Sequence, residues 1–172
     1  MKDGLNALYE RRSVRKYRSE QISDSELEQI LKAGLCAPSA MNRQPAIIIA
    51  VQDKDTIAYM SKLNAQVMGA NGDPFYGAPT VLVVLAEADN ANAFKDGSLV
   101  LGNLMNAASA LGIGSCWVNR AQEVFASAEG KALLEKWGVQ GDYIGVGNCI
   151  LGYPAETPAV KPIKENRLYY VR

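Results

Sequence analysis

Thr80-Val81-Leu82-Val83-Val84-Leu85 is β-branched, apolar on both faces and preceded by Pro79. Such a run reads as a central strand of a sheet. Ala46-Ile47-Ile48-Ile49-Ala50-Val51, between Pro45 and Asp53, reads as a second buried strand. Helical spacing fills the intervals. Leu5 and Leu8 give a short first helix. Ser23 stands three residues before Glu26, a capping-box pair that starts a helix whose face is Leu27, Ile30, Leu31 and Leu35. Ile57, Met60, Leu63 and Val67 trace another face. From about residue 91 to 111, Leu101, Leu104, Met105, Ala108 and Leu111 line a long helix ended by Gly112 and Gly114. Residues 115–119 and 143–151 read as strands, separated by a small helix near 129–137 closed by Gly138. Pro154, Pro158 and Pro162 predict extended backbone, and Leu168-Tyr169-Tyr170-Val171 can form a last strand. No repeat or internal boundary interrupts residues 1–172, which read as one domain.

Composition narrows the function. A chain of 172 residues that is 48% hydrophobic can build one real core. No run of about 20 apolar residues predicts a membrane span. Met1-Lys2-Asp3-Gly4 lacks a following apolar signal region, so a cytoplasmic location is expected. Cys36, Cys116 and Cys149 fit no C-x-x-C or zinc pattern and suit a reducing interior. A net charge of zero argues against nucleic acid as the main partner. The chain has no histidine. That removes a Ser-His-Asp triad, a Cys-His pair and histidine metal ligands. Chemistry must come from carboxylates, lysines, thiols or a cofactor.

Two polar motifs stand out. Arg11-Arg12-Ser13-Val14-Arg15-Lys16-Tyr17 follows the first helix. Arginine forks and a hydroxyl suit phosphate oxygens, but cations also gather at solvated helix ends. Ala37-Pro38-Ser39-Ala40-Met41-Asn42-Arg43-Gln44-Pro45 is a polar loop bracketed by prolines. Its hydroxyl and amide groups could read a heterocycle edge or a sugar chain, or simply close a helix-to-strand turn. A Rossmann site is set aside. Gly112-x-Gly114 and Gly145-x-Gly147 lack the third glycine, because Trp117 and Ile150 stand there.

R-R-S-V-R at 11–15, A-P-S-A-M-N-R-Q-P at 37–45 and Ala110-Leu111-Gly112-Ile113-Gly114-Ser115-Cys116-Trp117 follow one another in that order along the chain. Gly152-Tyr153-Pro154-Ala155 and a Lys/Pro tail follow. Together these motifs resemble the FMN-dependent nitroreductase family. The resemblance implies an α+β fold, with a mainly antiparallel sheet flanked by helices. It also implies a homodimer in which the long helix packs at the interface and the C-terminal strand joins the partner's sheet.

Residue by residue, it implies that Arg11 and Ser13 hold the FMN phosphate and nearby ribityl oxygens, with Arg15 beside them. Arg12 would lie along the ribityl and ring edge. Pro38, Ser39, Ala40 and Asn42 would cover the flavin from the other subunit. Backbone groups from Gly114, Ser115, Cys116 and Trp117 would line the pyrimidine edge and N5, where an N–H polarises the hydride acceptor. Lys161 or Lys164 would complete the phosphate site. Trp117 can equally be a core aromatic, and Cys116 a small buried apolar residue. The implied reaction is ping-pong transfer from NADH or NADPH to a nitroaromatic, quinone or similar small conjugated acceptor. A redox sensor or flavin store would carry the same motifs, and so would a reductive dehalogenase-like or flavin-consuming enzyme. The chain departs from the family in having Ala46 after Gln-Pro and Ile163 within the tail's basic triplet. Its short segment after Trp117 predicts an open site without a long helical excursion.

Overall fold

The computed structural model describes residues 3–160 and 162–172. In chain order it runs α1 (Gly4–Glu10), α2 (Asp24–Leu35), a 3-10 turn (Ala40–Asn42), β1 (Ala46–Val51), α3 (Lys54–Met68) and β2 (Thr80–Glu87). There follow α4 (Ala93–Ala110), β3 (Gly114–Val118), α5 (Ala121–Ala126), α6 (Ala128–Lys136) and β4 (Tyr143–Gly152). The strands form one antiparallel sheet in the order β1-β2-β4-β3.

The doubly apolar run becomes an inner strand, as its composition predicts. Residues 80–86 are fully buried, and only Glu87 reaches water. Two apolar layers sandwich the sheet. On one face Val81, Val83 and Leu85 pack with Ile57, Met60 and Leu63 of α3, Val124 and Phe125 of α5, and Leu133 of α6. On the other, Leu82 and Val84 pack with Leu27 and Ile30 of α2 and with Leu101, Leu104 and Ala108 of α4. Each fully buried aliphatic side chain contributes about 1.5–3 kcal/mol.

Three differences from the sequence reading have physical causes. First, α5 is an additional helix of 6 residues. Ser127 divides it from α6, ending one helix and accepting from Gly130 N–H as the N-cap of the next. Second, Val67 and Leu35 complete the expected apolar faces but remain 39% and 61% exposed at their helix ends. Third, Leu168–Val171 makes no strand within the chain, and its side chains lie exposed. The edge of β1 opposite β2 has no strand beside it among the described residues. The other helix and strand bounds agree with expectation to within two residues.

The capping box forms as Ser23 and Glu26 predict. Glu26 N–H donates to Ser23 Oγ at 3.3 Å, and Ser23 N–H donates back to Glu26 Oε2 at 2.9 Å. The same carboxyl accepts from the Tyr153 hydroxyl at 2.7 Å, tying α2 to the end of β4. Ser23 and Tyr153 hydrogen bonds hold the Glu26 carboxyl below its ordinary range. Ser23→Ala is therefore expected to lower unfolding free energy by about 1 kcal/mol in denaturant titrations. A depressed folded-state value makes the Glu26 contribution fully present above the unfolded value of about 4.3. It is lost as pH falls through the lower folded-state value. Glu26→Gln should accordingly flatten the acid limb of the stability curve below about pH 4.

Candidate functional site

The basic motif leaves α1 and runs alongside β3. Ser13 pairs with Ser115 in an isolated parallel bridge, and Val14 N–H donates to Ser115 C=O at 3.0 Å. Tyr17 bridges to Pro154, and its hydroxyl donates to Val14 C=O at 2.6 Å. Burial pushes the Tyr17 phenol up. Gly114 permits this approach: a Cβ there would stand 3.0 Å from Val14 Cγ1.

Arg11, Arg12, Gly114 and Ser115 line a cavity of about 200 Å³ with Glu10 and Glu156. Arg12 uses one guanidinium nitrogen to close the end of α1, donating to Tyr9 C=O at 2.8 Å and Arg11 C=O at 2.7 Å. For this residue the role of a helix-end cation is realised. Glu156 is anchored by Arg15 N–H at 2.6 Å. Arg15 itself faces a second cavity of about 240 Å³ with Tyr76, Cys116, Trp117, Asn119 and Arg120. Its guanidinium lies 5.9 Å from the centre of the Tyr76 ring. Lys164 is exposed on the tail, and Lys161 lies outside the described residues.

Cys116 and Cys149 are buried free thiols, and burial pushes Cys149 up. Trp117 is half-buried. Its indole packs over Gly147, where a Cβ would stand 2.8 Å from Nε1. Trp117 thus packs as a core aromatic and also lines the second cavity. Sequence reasoning missed Tyr76, Asn119 and Arg120. Arg120 takes a left-handed backbone, φ 80, at the entry to α5. Tyr76 is likewise left-handed, φ 54.

The proline-bracketed loop lies elsewhere. Pro38 and Ser39 line a small cavity of about 80 Å³ with Asp96 and Val100 of α4. Ser39 Oγ accepts from Gln44 N–H at 2.9 Å, and Gln44 Nε2 donates to Asn42 Oδ1 at 3.0 Å. Ala40 N–H points at Asp96. The opposite end of α4 holds the basic motif, where Ser109 Oγ donates to Ala7 C=O at 2.9 Å. Asp96 and Ser109 are about 20 Å apart along the helix axis. Neither cavity beside β3 takes any lining from residues 37–45.

A larger cavity, about 910 Å³, lies between α3 and residues 69–79. Small side chains and backbone make most of its wall, Lys54 and Lys62 stand at it, and it includes none of the motif residues. Size alone does not make a site; Arg11 and Arg12 line one of the smaller cavities and Arg15 the other, while Ser13 and Lys164 line neither.

The nitroreductase family model matches residues 8–153. The chain is 35% identical over 162 residues to a provisionally named NADH dehydrogenase/NAD(P)H nitroreductase of Archaeoglobus fulgidus, spanning 91% of this chain and 88% of that protein. It is 26% identical to an FMN reductase [NAD(P)H] of Bacillus subtilis over 94% of this chain and 70% of that one. Among solved structures, a nitroreductase with bound FMN from Bacteroides fragilis superposes with a TM-score of 0.87 at 29% identity, covering 100% of both chains. One from Desulfitobacterium hafniense, also with bound FMN, gives 0.89 at 26%, again covering 100% of both. The chain belongs to the nitroreductase family, and its α+β fold is the nitroreductase fold.

Gly145 sets the position of the wall that Asn119 and Arg120 supply. A Cβ at Gly145 would collide with the Ala121 carbonyl, which is backbone and cannot swing aside. Gly145→Ala should therefore push out the start of α5 and destabilise the protein by about 1–3 kcal/mol, read as a lower Tm in a thermal scan.

Proposed function

We propose that this protein is an FMN-dependent oxidoreductase that uses NADH or NADPH as transient reductant. It acts on nitroaromatic, quinone or similar small conjugated acceptors, as a cytoplasmic homodimer with flavin at the subunit interface. The observation that carries the reading is a pair of arginine-lined cavities that share β3 as a wall, one at Gly114 and Ser115 and the other at Cys116 and Trp117. Arg11 and Arg12 line the first, with Ser13 bridged to its Ser115 wall, and Arg15, Tyr76 and Trp117 line the second. A mononucleotide has a charged phosphate for such arginines and a flat ring system for the Tyr76 and Trp117 wall. The FMN-bound relatives support it.

In this reading Arg11 and Ser13 bind the phosphate, and Arg12 turns its remaining N–H groups to the ribityl chain. Glu10 and Glu156 share the opening, so a tail lysine, Lys161 or Lys164, supplies the extra positive charge. Backbone groups of Gly114, Ser115, Cys116 and Trp117 orient the ring edge. When bound, FMN supplies the two-electron redox chemistry, and the chain supplies position, electrostatics and exclusion of water.

The homodimer follows from the separation of the two motifs. A ligand held beside β3 cannot reach Pro38, Ser39, Ala40 and Asn42 of the same chain. A second copy can bring that loop over it. Leu35, Met41, Phe94 and Leu99 form apolar surface around the loop and α4, each at least 41% exposed. The open β1 edge, with half-buried Ile47, Ile48 and Ile49, suits the exposed Leu168–Val171 segment of that copy.

Two measurements test the function. Arg11→Ala should raise the Kd for FMN tenfold or more in a fluorescence titration of apoprotein, while Arg43→Ala should change it little. A charge-assisted hydrogen bond is worth about 1.5–3 kcal/mol, which sets that scale. Equal affinities would remove Arg11 from the phosphate site. Initial rates of NAD(P)H oxidation against a quinone should give parallel double-reciprocal lines, since both substrates use one opening in turn. Intersecting lines would reveal a separate nucleotide site. Bound flavin that neither nicotinamide reduces would favour a sensor or store.

A further inference from the structure

We propose that Asp96 is a positioning residue: it tethers the 37–45 loop of one subunit so that the loop can close over the flavin held by the other. The proposal rests on the interface site described above and assigns a role to a carboxylate that the site itself does not contain.

Asp96 is 5% exposed, in the first turn of α4, beside Val100, Ala37 and Pro45. A carboxylate taken out of water among apolar neighbours is unfavourable unless a donor meets it. The N–H of Ala40 lies 3.3 Å from both Asp96 Oδ1 and Oδ2. The helix dipole adds a favourable field at this end of α4.

Within the loop, bonds from Gln44 to Ser39 and Asn42 fix its shape. Met41, Asn42 and Gln44 are left-handed at φ 53, 55 and 50, a conformation unfavourable for residues other than glycine. A segment holding this much strain needs outside support to keep one shape. The Asp96 tether reaches Ala40, the residue immediately before the left-handed pair. It joins the loop to a long helix that packs on the sheet. Met41 is left 78% exposed, facing away from its own chain.

A tether of this kind acts in trans on the flavin, and that gives a test which ordinary destabilisation would not pass. Asp96→Ala homodimers should bind FMN at least about tenfold more weakly, the scale of one lost charge-assisted bond. Asp96→Asn keeps a carbonyl acceptor for Ala40 N–H and should recover most of the loss. Ala40→Pro removes the donor instead, at a position where proline fits. Ser39, at φ −135 and ψ 156, already has the backbone required before proline.

Co-expressed heterodimers of an Asp96→Ala subunit with an Arg11→Ala subunit have one interface where intact arginine meets intact loop. They should therefore regain one FMN site of wild-type affinity per dimer. If Asp96→Ala does not fold, Ala40→Pro takes its place in the same heterodimer. Wild-type affinity in Asp96→Ala homodimers, or heterodimers with no tight site, would overturn the tether and leave the flavin reading standing. Wild-type protein that takes up no FMN, or is monomeric, would overturn both.

Discussion

β2 has no face that meets water, because residues 80–86 are buried between two helical layers. That constraint propagates outward. One roof must be α2 and α4, the other α3, α5 and α6. Close packing then fixes the height of α4 above the sheet. A Cβ at Gly97 would sit 2.6 Å from Val146 Cγ2, and one at Gly34 would sit 2.5 Å from Leu104 Cδ2. α4 is pressed onto both β4 and α2, and that fixes where its two ends lie. One end presents Asp96 to the loop, the other presents Ser109 to α1. Core packing thus sets the spacing of the two binding motifs before any ligand is considered.

The same spacing explains why the site is divided. Sequence motifs that act on one ligand need not lie together in one chain. Here they stand at opposite ends of a helix that keeps them about 20 Å apart. In the dimer proposed above, a two-fold partner would turn the same separation into two complete sites. In that proposal the exposed apolar residues around the loop would be interface surface, which is what a contiguous apolar patch commonly marks.

Much of the fold was legible in particular residues. The Ser23–Glu26 pair marks α2 because each member answers an orphan donor of the other. The Thr80–Leu85 run marks β2 because a short, β-branched stretch apolar on both faces suits a strand buried between two layers. α5 was not legible: it is 6 residues long, and Arg120 starts it without a side-chain cap. Local propensity alone did not decide the last strand: Leu168–Val171 has strand-forming residues but pairs with no strand of its own chain. In the candidate site, Arg11 to Arg15 and the 37–45 loop stood out by residue type. Asp96 did not, although a lone acid on the buried face of a helix, between Ala93 and Val100, was a readable signal. Gly145 and Gly147, weighed as part of a nucleotide fingerprint, instead allow close packing by Ala121 and Trp117.

The titratable groups beside β3 narrow what the protein itself contributes. Burial raises the Tyr17 phenol and the Cys149 thiol, so each stays protonated through the physiological range. Tyr17 spends its proton on the Val14 carbonyl, which pins the basic segment to the sheet. With no histidine in the chain, neither group is replaced by a residue poised near neutral pH. What these elements do well is hold geometry. Arg12 locks the end of α1, Glu156 fixes Arg15 through its backbone, and Trp117 rests on Gly147. A wall so constrained loses little order when a flat ligand arrives, so its polar groups need not reorganise to meet developing charge. That is the contribution expected of a protein whose bound group carries the electrons.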